Sequence, residues 1–191
     1  MKLSQQQGMT LIDLMLTISL VAILLGEALP AFNHTLNKSK VDAASMMLKS
    51  SLQLARKTAI TQNKKVTICP IENGSIQATP VCSKNWSDGY MVFIDDNEDR
   101  QLSANESLVY KNLNIDDKIQ LRWKAFGVRS SMQWHHTGIT NHQNGTFEFC
   151  YNQQPKYSRA LIITKAGRIR ASKDLDGDGI HENSRGKNLS C

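Results

Sequence analysis

Arg168 and Arg170, two guanidinium groups separated by a single isoleucine, carry the clearest chemical possibility in this sequence. They lie in Ala160-Leu-Ile-Ile-Thr-Lys-Ala-Gly-Arg-Ile-Arg-Ala171, where two β-favouring arms flank Lys165, Ala166 and Gly167. This pattern predicts a hairpin that turns at those three residues. Side chains alternate faces along a strand, so the two arginines project together, about 7 Å apart, while Ile169 turns toward the core. That separation matches successive phosphates along a nucleic-acid strand, and Lys165 stands beside the pair. Residues 156–171 hold five cations and no acid. The plainer reading of such a stretch is a solvated basic edge that deters strand pairing.

Other residue sets suggest less. Asp174-Leu-Asp176-Gly-Asp178-Gly179 has the one, three, five spacing and the glycine of a calcium loop. Arg185, however, occupies the twelfth position, where a bidentate glutamate belongs; Glu182 is a substitute, and a turn closed by aspartate hydrogen bonds is the competing reading. The run Asp95-Asp-Asn97-Glu-Asp99 is a weaker version, with Arg100 in place of the glycine. Both clusters repel phosphate and would confine a polyanion to the basic edge. His135, His136 and His142 are close in sequence, but strand neighbours face opposite ways and no metal-ligand or triad spacing emerges. Trp86, Trp123 and Trp134 read as core residues. No enzyme activity and no cofactor is indicated. Cys69, Cys82, Cys150 and Cys191 allow three disulfide pairings; Cys69 with Cys82 and Cys150 with Cys191 are favoured because each closes a local loop. Zinc is the alternative, without the Cys-x-x-Cys spacing it usually shows.

Periodicity predicts the elements that must position these groups. After a short polar segment, 1–8, an apolar run from Met9 to Leu29 is interrupted only by Asp13, small hydroxyls, Gly26 and Glu27. As a helix it would cross roughly 30 Å, the thickness of a bilayer's hydrocarbon core, so a membrane span over 9–30 is expected. Beyond Pro30 the pattern turns amphipathic: Val41, Ala44, Leu48, Leu52, Ala55 and Ala59 recur at steps of three and four. One helix therefore continues over 31–62, kinked at Pro30. Residues 63–191 read as a β-rich head with short strands at 65–69, 89–94, 107–110, 119–124, 132–134, 146–151, 160–164 and 168–171. The fold class is α+β. Net charge is +6, and residues 156–191, with eight basic and four acidic side chains, hold most of the excess.

Gly8 before an apolar run, an acidic residue at Asp13 and a proline at Pro30 resemble the leader and first helix of type IV pilins and type II secretion pseudopilins. The stretch Trp86-Ser-Asp-Gly-Tyr-Met-Val-Phe-Ile-Asp-Asp-Asn-Glu-Asp99 resembles the GspH/FimT subgroup, and Gly167-Arg168-Ile169-Arg170 resembles the Gly-Arg-x-Arg motif of FimT-type minor pilins associated with DNA uptake in natural transformation. The resemblance implies the pilin fold, cleavage after Gly8 by a prepilin peptidase and methylation of Met9. Asp13 stands where the family has glutamate and would meet the free amine of a neighbouring subunit. The same resemblance implies a single pass in the inner membrane with the head in the periplasm, then an extracellular pilus with other pilins as partners. Arg168 and Arg170 become the phosphate ligands for DNA, with Lys165, Lys173, Arg185 and Lys187 as auxiliaries. The alternative is a pilus-priming minor pilin or a type II secretion pseudopilin that binds no DNA.

Overall fold

The computed structural model describes residues 10–71, 80–125, 130–140 and 143–191, with 27–31 described by backbone alone. Gly8, Met9 and His142 lie outside the described residues. Helix α1 (Leu11–Gln62) is helical throughout its backbone, Pro30 included. Thr10 and Asp13 cap its start reciprocally: the Asp13 carboxylate accepts from the Thr10 N–H at 3.1 Å and the Asp13 N–H donates to Thr10 Oγ1 at 3.3 Å.

The chain divides into two compact units, 1–38 and 39–191. In the first, the large apolar side chains of the helix, Leu11, Ile12, Leu16 and Leu24 among them, are exposed. Among the described residues no helix is long and apolar enough to cross a membrane; of the span expected over 9–30, residue 9 lies outside them and 27–31 are described by backbone alone. Thr17 and Ser19 turn their hydroxyls back onto the Leu14 and Met15 carbonyls, which satisfies them within the helix.

The second unit holds the rest of α1 and eight strands. Val41, Leu48, Leu52, Ala55 and Ala59, the stripe read from the sequence, are fully buried and form the helix side of the main core. The strands are β1 (Val66–Pro70), β2 (Tyr90–Ile94), β3 (Leu108–Asn112), β4 (Ile119–Ala125), β5 (Met132–Trp134), β6 (Gly145–Tyr151), β7 (Gln154–Ile163) and β8 (Ile169–Ala171). They form two four-stranded antiparallel sheets, ordered β3-β2-β1-β5 and β4-β6-β7-β8. Trp86, Trp123 and Trp134 are buried, and the Trp123 and Phe147 rings stack at 4.3 Å between centroids. Cys69 is bridged to Cys82 and Cys150 to Cys191, so one staple closes the end of β1 and the other ties the tail to β6.

Strand β7 begins six residues before the expected 160, because Asn152 and Gln153 adopt positive φ and make a two-residue hairpin turn with Tyr151 opposite Gln154. Its first three residues are exposed, which hides the strand from an apolar-periodicity reading. This extension also moves Arg159 inside: its Nε donates to Asp42 Oδ1 of α1 at 2.6 Å and its guanidinium is buried. Arg159 is therefore a core ion-pair member, not one of the free cations counted in 156–171.

Candidate polyanion-binding face

The outer surface of the second sheet is set by strand alternation. Trp123, Phe147, Leu161, Ile163 and Ile169 pack inward, which turns their neighbours outward. In register across the sheet, Lys124 lies opposite Thr146, Thr146 opposite Ile162, and Ile162 opposite Arg170. The next outward row is Arg122, Glu148 and Ala160, continued by Ser172, whose N–H donates to the Ala160 carbonyl at 2.8 Å.

The hairpin that presents the arginines is locked at its turn. The Gly167 N–H donates to the Thr164 carbonyl at 2.9 Å and the Thr164 N–H to the Arg168 carbonyl at 3.1 Å. Gly167 has φ +78°, and a Cβ there would stand 2.2 Å from the Gly138 carbonyl oxygen and 2.7 Å from the Trp134 ring. Only glycine satisfies both the left-handed backbone and that close approach. Arg56 of α1 ties the turn from below: its Nε donates to the Gly138 carbonyl at 2.9 Å and Nη2 to the Ala166 carbonyl at 3.3 Å. From β5's side, the N–H of Thr140 donates to the Lys165 carbonyl at 3.0 Å. Nothing in the sequence around 167 announces Arg56, Gly138 or Thr140; their chain separation from the turn leaves no periodic signal.

Arg168 and Arg170 are both exposed, and both line two adjoining grooves. One groove adds Lys165, Thr146 and Ser184; the other adds Lys173, Leu175 and Asn183. A third, sharing Asn144, Gly145, Thr146 and Ser184 with the first, is bounded by Lys124, Glu148 and Arg185. Among the described residues neither Arg168 nor Arg170 has a side-chain hydrogen bond or ion pair. Lys165, Lys173 and Arg185 thus share the face with the pair, whereas Lys187 lines none of the three grooves.

The tail 172–191 covers the lower part of this face. Arg122 Nη2 donates to the Cys191 carbonyl at 2.8 Å, and Ser158 Oγ lies 3.1 Å from Cys191 Sγ. The His181 Nδ1 and Ser172 Oγ are 3.0 Å apart, and burial, reinforced by the nearby Arg159 charge, holds the imidazole below its ordinary pKa. Asp174, Asp176 and Glu182 bring carboxylate oxygens within 4.8 Å of one another. Asp178, the fourth candidate, turns away to accept from Asn188. The loop's own amides occupy these oxygens: Gly177 and Gly179 donate to Asp174 at 2.7 and 2.9 Å, and Leu175 donates to both oxygens of Glu182.

The 95–99 run does not border this face. Asp95 is buried in the other sheet, accepting from Thr67 Oγ1 at 2.6 Å and Gln133 Nε2 at 2.8 Å, while Lys64 and Lys65 pair with Asp96 and Glu98. His135 and His136 follow β5 rather than lying in a strand, so their rings sit side by side, 3.9 Å between centroids, instead of on opposite faces.

A helix packed beneath antiparallel sheets, with a disulfide-tied tail, defines a subunit with the type IV pilin fold, the class of minor pilins and pseudopilins. The chain belongs to the family described as Type II transport protein GspH, which matches residues 44–167. That class is structural, not enzymatic. The type IV minor pilin FimU of Pseudomonas aeruginosa PAO1 shares the fold in two crystal forms: 20% identity in both, TM-scores of 0.52 and 0.50, covering 71% and 69% of this chain and 90% and 92% of FimU. The Pilin-like protein PilA1 of Thermus thermophilus is 29% identical over 101 residues. That match spans 53% of this chain and 56% of PilA1, little more than half of either.

Proposed function

We propose that this chain is a minor pilin of a type IV pilus that binds DNA through the outer face of its second sheet, for uptake in natural transformation. The observation that carries this reading is the guanidinium pair of Arg168 and Arg170, exposed on one face, held on a hairpin locked at Gly167, and without a carboxylate partner among the described residues. Arg168 and Arg170 bind successive phosphates; Lys165, Lys173 and Arg185 add charge around them, and Lys187 acts at longer range. Phosphate contacts carry no base information, so binding is independent of sequence. On this reading Gly8 is the cleavage site of a prepilin peptidase, Met9 is methylated, and Asp13 receives the amine of a neighbouring subunit as the chain passes from the inner membrane into the filament.

Fluorescence anisotropy with labelled DNA and the full chain in non-ionic detergent tests the proposal. With about four to six phosphate contacts, log K falls with log salt at a slope near −4 to −5. The Arg168→Gln, Arg170→Gln double variant should lose about two units of that slope. Unchanged affinity in the double variant removes these residues from the mechanism. Failure of the native chain to bind at low salt assigns it instead to filament priming or to a type II secretion pseudopilin.

A further inference from the structure

The guanidinium pair forms only one side of the face. The row Lys124, Thr146, Ile162, Arg170 crosses all four strands, and three strand spacings of roughly 4.8 Å put about 14 Å between the backbones at its two ends. The middle of the row is small or neutral. Gly145, Thr146 and Ile162 floor the groove that reaches Arg168 and Arg170, and Gly145 and Thr146 also floor the groove that ends on Lys124 and Arg185. Because the two grooves share Asn144, Gly145, Thr146 and Ser184, they make one open trough with cations along both edges.

Lys124 differs from the other cations that line these grooves in having a built-in counter-charge. Its Nζ lies 2.6 Å from Glu148 Oε2, with the lysine side chain 51% exposed and the glutamate side chain 8% exposed. An ammonium has three N–H donors, so the one directed at Glu148 leaves two for phosphate oxygens. Arg185, which lines the same groove, has no such carboxylate among the described residues.

Resting on the DNA-binding reading, we propose that the polyanion is gripped from both edges of this trough: Lys124 and Arg185 form a second cationic rim opposite Arg168 and Arg170, and Glu148 tempers that rim by partly neutralising Lys124. The buried carboxylate sets the strength of the grip, holding it weak enough for the polyanion to be released.

The test is the salt slope of anisotropy titrations with a labelled duplex and the full chain in detergent. Each phosphate contact contributes about 0.9 to the slope, so each lost contact shrinks the affinity ratio between roughly 50 and 200 mM salt about 3.5-fold. Lys124→Gln with Arg185→Gln should flatten the slope by nearly two units and shrink that ratio about tenfold. Glu148→Gln should act in the opposite direction, tightening binding several-fold at low salt and steepening the slope. A gain of that sign cannot come from a misfolded head, so it separates charge from structure. An unchanged slope in Lys124→Gln, Arg185→Gln, alongside a reduced one in Arg168→Gln, Arg170→Gln, overturns the second rim and leaves the first. If neither pair of substitutions alters the slope, the DNA-binding reading itself falls.

Discussion

Gly167 does at residue scale what the arginines cannot do for themselves. Two guanidiniums on a mobile hairpin would lose side-chain and backbone entropy on meeting a phosphate chain; held by Arg56, Thr140 and the contact with Gly138, this hairpin has lost its share on folding. A Cβ at 167 meets backbone and an indole ring rather than a yielding side chain, and the residue must keep its left-handed φ. Gly167→Ala should therefore destabilise the head by about 2 to 4 kcal/mol, read by urea denaturation. It should also weaken DNA binding although both arginines remain. Stability within a few tenths of a kcal/mol of the native chain would mean that the turn is not held as described. The Gly and both Arg of this motif were legible from four adjacent residues; Arg56 was not, because as part of an amphipathic helix it reads as an ordinary solvent-facing cation.

At the scale of elements, the tail is an extension of the second sheet. Ser172 continues the β7 pairing, Leu189 is buried, and the Cys150–Cys191 bridge closes a separation of 41 residues. The loop-entropy model gives such a bridge roughly 4 kcal/mol, against roughly 3 for Cys69–Cys82 with its separation of 13. Cys150→Ser with Cys191→Ser should lower the melting temperature more than the other pair, and should also weaken DNA binding, because Asn183, Ser184 and Arg185 form trough wall. Removing Cys69–Cys82, in the other sheet, should leave affinity per folded molecule unchanged. Equal effects of the two on binding would detach the tail from the site. Loop length favoured these two disulfides among three possible pairings, whereas the placement of Arg185 in the same groove as Lys124 depends on where the stapled tail comes to rest.

On the scale of the whole molecule, the described residues that line the three grooves include no aromatic side chain, and Trp86, Trp123 and Trp134 are committed to the core. Single-strand binders gain much of their affinity by stacking bases on exposed rings, a contribution these described lining residues do not offer. A duplex concentrates about one charge per 1.7 Å of axis, so the face should bind duplex more tightly than single-stranded oligonucleotide of the same length. Competition titrations read the difference, and a preference for unstructured oligo-dT would contradict a face that recognises phosphate alone.

Consecutive residues were enough to define the helix and its buried stripe, the strand-rich head, and a hairpin bearing two arginines on one side, because periods of 3.6 and 2 and turn chemistry are local. They also placed the excess positive charge toward the tail, since composition needs no coordinates. Which of those charges are free emerged from the folded chain alone: folding buried Arg159 against Asp42, paired Lys124 with Glu148 and removed the 95–99 run to the other sheet. The physical reason is that ion pairing and exposure depend on neighbours brought from distant parts of the chain, while face alternation and helical period are written into adjacent positions.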